Sequence, residues 1–110
     1  MPEAVKVASG EMIDYTPSSD VAAGTVVVQG NLVGIALQPI AANTKGALAV
    51  QGVFDVAKAS ATEFTAGANV YWNDTNNVAV AADGGGHKLL GKAVAAAESG
   101  AVLVRVRLSQ

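Results

Sequence analysis

The sequence predicts a small, mainly β protein, a single-domain β-barrel or β-sandwich of short antiparallel strands with at most one short helical turn. Three observations carry that prediction. Apolar residues alternate with polar ones at a period of two, most plainly in "AVLVRVRL" (Ala101–Leu108), where Val102, Val104, Val106 and Leu108 share one face and Leu103, Arg105 and Arg107 the other. Twelve Gly and only three Pro punctuate 110 residues, as many turns require. The 51% hydrophobic content is mostly Ala and Val with 5% aromatics, a supply of small side chains suited to thin, closely packed sheets.

Strands are expected at Glu11–Tyr15, Thr25–Val28, Leu32–Ala36, Ala47–Val56, Asn69–Trp72, Asn77–Ala81, Leu89–Ala96 and Ala101–Leu108, each bounded by Gly, Asn, Asp or Pro. "QGN" (Gln29–Asn31) and "NDTNN" (Asn73–Asn77) read as hairpin turns, because Gly and Asn tolerate positive φ. "ASATEF" (Ala59–Phe64) has room for one helical turn, with Ser60 as N-cap and Glu63 three residues on. Residues 10–110 form the domain, and 1–9, "MPEAVKVAS", form an extended N-terminal arm with a weak strand pattern and no local partner.

The chain echoes itself. "AAGTVVVQGNLVGIA" (Ala22–Ala36) resembles "TAGANVYWNDTNNVAVA" (Thr65–Ala81), and "LVGIA" (Leu32–Ala36) resembles "LLGKA" (Leu89–Ala93). Matching Gly46 to Gly100 makes the loop after the second motif three residues shorter than the loop after the first. The echo gives Gly91 a counterpart in Gly34, which a bulge or close backbone approach explains.

That counterpart bears on the one nucleotide-like motif. Gly86 to Lys92 matches G-x-x-x-x-G-K, but Ala93 stands where a phosphate-binding loop needs Ser or Thr for magnesium. The residues that follow, "AVAAAESG", are too short for the helix whose N-terminus would face a phosphate. His87, the single His, lies in the polar turn "DGGGHK", and the carboxylates are scattered singly. The chain has no Cys, no G-x-S-x-G elbow and no D-x-D-x-D-G loop. No catalytic residue, metal ligand or cofactor is assigned, and the protein is expected not to be an enzyme.

Net charge is −2, and the seven Lys and Arg are spread along the chain, so no nucleic-acid arm is expected. "MPEAVKVASG" lacks the apolar region of a secretory signal, and no apolar run approaches the ~20 residues of a membrane span. Charged residues are 15%, below the roughly 25% of an average soluble domain, so partner contacts are expected to cover part of the surface. The candidates for a subunit or partner interface are Val5 and Val7 of the arm, neighbouring Tyr71 and Trp72 on opposite sheet faces, and Arg105 and Arg107 on the same face of the last strand.

The order "GEMIDYTP", "AAGTVVVQGNLVGIAL", "ALAVQGVFDV", "FTAGANVYWNDTNN", "LLGKAVAAAESGAVLVRVRL" resembles the DUF2190 family of small tailed-phage and prophage head proteins, from about Gly10 to Leu108. Members are often labelled as RecA/RadA-like recombinases, yet they look like capsid decoration, or cement, proteins. The resemblance implies a mostly β protein that is made in the bacterial host cytoplasm. It implies a homotrimer on the exterior of the virion, bound to the major capsid protein, with no nucleic-acid or membrane partner. A recombination accessory that binds nucleotide or nucleic acid is the alternative, and a carbohydrate-binding β module, using Tyr71 or Trp72, is a third.

Overall fold

A computed structural model describes residues 3–4, 10–84 and 86–109, and shows nine strands and no helix among them. Most of the arm, including Val5 and Val7, lies outside the described residues. The strands are β1 (Met12–Tyr15), β2 (Val26–Gln29), β3 (Leu32–Ala36), β4 (Gly46–Ala49), β5 (Val53–Ala57), β6 (Asn69–Asn73), β7 (Val78–Val80), β8 (Lys88–Ala93) and β9 (Leu103–Leu108). They form two antiparallel sheets, ordered β1-β4-β3-β2 and β5-β9-β8-β6-β7. The second sheet curls until Lys58, just past β5, bridges Ala79 of β7. The fold is thus a sandwich whose larger sheet closes partway into a barrel.

Turn chemistry sets the hairpins. Gly30 takes φ 63° between β2 and β3. Between β6 and β7, the Asn73 side-chain oxygen accepts from the Thr75 and Asn76 N–H groups at 3.0 Å each, and Asn77 takes φ 57°. The expected strand Ala47–Val56 is two strands in different sheets. Gly52, at φ 119°, turns the chain between them, and Val50 bonds back to the Glu11 carbonyl. The strand expected over Leu89–Ala96 ends at Ala93, and the one over Ala101–Leu108 begins at Leu103. Val102 therefore leaves its expected apolar face and is 64% exposed. Ala59–Phe64 makes a single hydrogen-bonded turn, Thr62 N–H to Ala59 carbonyl, and no helix.

The internal echo is structural. Dropping β7, the second sheet repeats the first strand for strand. The backbone bonds repeat as well: Gly24 N–H to Ala36 carbonyl matches Gly67 to Ala93, Val21 and Ile40 exchange bonds as Phe64 and Ala97 do, and Asn43 N–H to Pro17 matches Gly100 to Ser60. Two details of the sequence alignment change. Gly100 corresponds to Asn43, both at positive φ, rather than to Gly46. The loop after β8 is one residue longer than its counterpart, since Ala36 faces Leu48 whereas Ala93 faces Val106. Among the described residues β7 has no counterpart, and β3 is matched by β8.

The main core lies between the sheets. Val33 and Ile35 from the first sheet meet Val70, Trp72, Leu90, Val104, Val106 and Leu108 of the second, with Val26, Val28 and Phe54 at its margin. A smaller cluster, Ala36, Ile40 and Leu48 with Ile13, Tyr15, Val21 and Val27, covers the opposite face of the first sheet. Burying a side chain of Val or Leu size contributes about 1.5–3 kcal/mol, so the larger cluster dominates stability.

Candidate interaction surfaces

Directly opposed residues of antiparallel strands share a face. Pairing therefore sets Val53, Arg107, Lys92 and Asn69 in one row across β5, β9, β8 and β6. Asp55 and Arg105 begin the next row, and Ala57 with Leu103 the one after. Tyr71 follows Asn69 on the same side, half-buried between Leu89 and Val80. The face carries three cations, Lys92, Arg105 and Arg107, against one carboxylate, Asp55, on a chain whose net charge is −2. Val53 (56% exposed) and Leu103 (50%) add apolar surface.

Arg105 grips Asp55 with both ends of its guanidinium, Nε to Oδ1 at 2.9 Å and Nη2 to Oδ2 at 3.2 Å. That hydrogen bonding holds the Asp55 carboxyl below its usual value, and raises Arg105 in turn. Both groups are exposed, so water and salt screen the pair. Among the described residues no carboxylate pairs with Arg107 or Lys92 on the same face, which leaves their positive charge facing solvent.

Of the two neighbouring aromatics, Trp72 turns inward. It is 5% exposed, and its indole N–H donates to Asp74 Oδ1 at 3.1 Å. It packs the core, and Tyr71 alone of the two borders the surface. Arg105, Arg107 and Tyr71 are thus brought onto one face, while Trp72 lies behind them.

The stretch that matches a phosphate loop is the strand β8. Gly91 lies mid-strand, where an added Cβ would overlap the Arg107 carbonyl. Lys92 points to the exposed face beside Arg107 and Asn69. Lys88 Nζ donates to Asn31 Oδ1 at 2.8 Å, tying the two sheets together at one end. Among the described residues no cluster of His, Cys, Asp or Glu has the makings of a metal site.

Two residues escaped the sequence reading. Lys92 joins the cationic row only because β8 pairs with β9, which the spacing along the chain does not reveal. Lys58 is 4% exposed, and its ammonium donates to the carbonyls of Thr62 at 2.5 Å, Ala59 at 3.2 Å and Glu98 at 3.3 Å. It clamps the loop after β5 to the loop before β9. Its signal in the sequence is faint, a lone Lys at the end of an apolar strand.

A family model described as phage cement protein matches residues 7–108. No curated protein and no solved structure matches the chain.

Proposed function

The chain belongs to the phage cement protein family, and from that premise we propose that it binds the outside of a capsid shell as a homotrimer and stabilises it. Family membership makes it a capsid-associated structural protein of a bacteriophage virion. The finer points are our reading: the trimer, the outer surface of the major capsid protein as the docking site, synthesis in the host cytoplasm, a purely structural, non-enzymatic role, and the kinship with the DUF2190 head proteins.

One observation carries the docking surface: the shared face of Lys92, Arg105 and Arg107 beside exposed Val53 and Leu103. A cationic face with apolar neighbours suits an acidic partner surface, where charge steers encounter and apolar contact holds the complex. Tyr71 borders this face and the arm, with Val5 and Val7, supplies a strand to a neighbouring sheet edge. A trimer engages a symmetric shell at several points together, so modest single contacts add up to firm binding.

The test is co-sedimentation of purified protein with capsids lacking it, across a salt series. Arg105→Glu with Arg107→Glu should weaken binding at least tenfold and flatten its salt dependence. Unchanged binding would remove this face from the docking site. Light scattering should return three times the 11.0 kDa chain mass.

A further inference from the structure

Among the described residues, the first half of the chain leaves open an edge that the second half covers. β6 carries β7 on its outer side, through Tyr71 with Val80, Trp72 with Ala79 and Asn73 with Val78. β2 is the counterpart of β6, and among the described residues it pairs with β3 alone. The Thr25 carbonyl accepts from Ala36 N–H, and antiparallel bonding alternates along a strand. Val27 therefore bonds towards β3, while the N–H and C=O groups of Val26 and Val28 face outward. Among the described residues no strand lies on that side.

The open edge is also unguarded. Proteins blunt free edges with charge, Pro, bulges or brevity. β1 has Asp14, β5 has Asp55, and β7 is three residues long. The run from Ala22 to Asn31 has no charge and no Pro. Next to it, a cleft of about 440 Å³ opens between the sheets, with an apolar wall of Val26, Ile35, Phe54, Val56 and Trp72 and polar positions at Thr25, Asp55 and Asn77. An unpaired backbone edge beside a cleft with an apolar wall is what an added strand needs: main-chain bonds for affinity and room for alternate side chains.

We propose that β2 accepts the segment Ala4–Ala8 of a second copy of this chain, in the manner in which β6 accepts β7. "AVKVA" (Ala4–Ala8) has the Val-x-Val-Ala pattern of "NVAVA" (Asn77–Ala81), the stretch that contains β7. In the β7 register, Val7 stands opposite Val28 as Val80 stands opposite Tyr71, and Val5 stands opposite Gly30, so both fall on the face of Val26 and Val28 and lengthen the apolar row that Val26 begins at the cleft.

Reach rules out the segment of the same chain. Each pairing from β1 through β4 and β3 to β2 reverses direction, so a strand beyond β2 runs parallel to β1, and a parallel connection needs a crossover of about a dozen residues to carry the chain back along the strand. The four steps from Ala8 to Met12 extend to about 14 Å at most. The donor is therefore another molecule. Donor and acceptor are different surfaces, so passing the segment from copy to copy makes a heterologous contact, which forms a ring where its rotation closes. The ring of three rests on the trimer proposed above.

The chain contains no Cys, so an engineered pair has no competitor. Val7→Cys and Val28→Cys proteins, mixed and oxidised, should give a disulfide between the two variants. Val28→Pro removes an outward N–H and spares the bonds to β3, as an edge strand tolerates. It should weaken self-association at least tenfold by sedimentation velocity while circular dichroism is unchanged. An oligomer that forms no such disulfide overturns the proposal, even if Val28→Pro fails to fold. So does an oligomer that Val28→Pro leaves intact; if that variant has lost capsid binding, β2 belongs instead to a capsid strand. The capsid reading is separable: a disulfide with no capsid binding leaves the strand exchange standing and removes the function, and capsid-binding trimers without a disulfide do the reverse.

Discussion

Gly34 and Gly91 stand at the same point of the two halves, and at each a neighbouring strand leaves no space for a methyl group. An added Cβ at Gly91 would overlap the Arg107 carbonyl, which is backbone and cannot yield. At Gly34 it would meet Leu48 Cβ at 2.8 Å, a side chain that a small sheet shift relieves. Gly91→Ala should cost about 3 kcal/mol and Gly34→Ala about 1–2 kcal/mol, read as a lower urea midpoint at unchanged slope.

Lys58→Met keeps the length of the side chain and removes its charge. The carbonyls of Ala59, Thr62 and Glu98 lose their buried donor. A loss of about 1–3 kcal/mol is expected in thermal unfolding. A neutral effect would mean that these carbonyls find other donors.

The Arg105–Asp55 pair sets a pH dependence of known sign. Asp55 titrates lower in the folded chain than in the unfolded one. Its stabilisation is present above the usual aspartate range and disappears as pH falls through the lowered value. The stability gap between the native protein and Asp55→Asn should therefore be largest near neutrality and close in acid. Added salt should narrow it, because both groups are exposed.

Trp72 is the single Trp, and its burial makes it a native probe of unfolding. Trp72→Ala should cost about 3–5 kcal/mol, as emptied aromatic core sites do. Asp74→Ala should cost about 1 kcal/mol by removing the acceptor of the indole N–H, and should shift the native emission.

Local order was legible where local chemistry decides it. Leu32–Ala36 matches β3 at both ends, and Gly30 and Asn77 turn the chain where Gly and Asn were expected to. The break inside Ala47–Val56 was hidden. Val50 and Val53 continue the apolar pattern on either side of Gly52, and only the sheet assignment shows that the chain changes layer there. Pairing was the harder part. Arg105 and Arg107 share a face by period alone, whereas Lys92, thirteen residues before Arg105, joins them through a register that no spacing encodes. The echo of Gly34 in Gly91 was visible as text, but its cause, a backbone pressed against backbone, is a fact of three dimensions.

The place of β9 governs when the protein can form. The first sheet is complete once Ala49 has been synthesised, because β1 through β4 are contiguous in the chain. The second is not. β9 lies between β5 and β8, so until Leu108 emerges β5 has no neighbour on its β9 side and β8 has only β6. At about 5–20 residues per second, the ribosome holds a finished first layer against an unfinished second one for several seconds. A stop codon or a protease cut just before Leu103 therefore removes the strand that joins two others, and leaves the apolar faces of Val56 and Leu90 without the cover of Val104 and Val106.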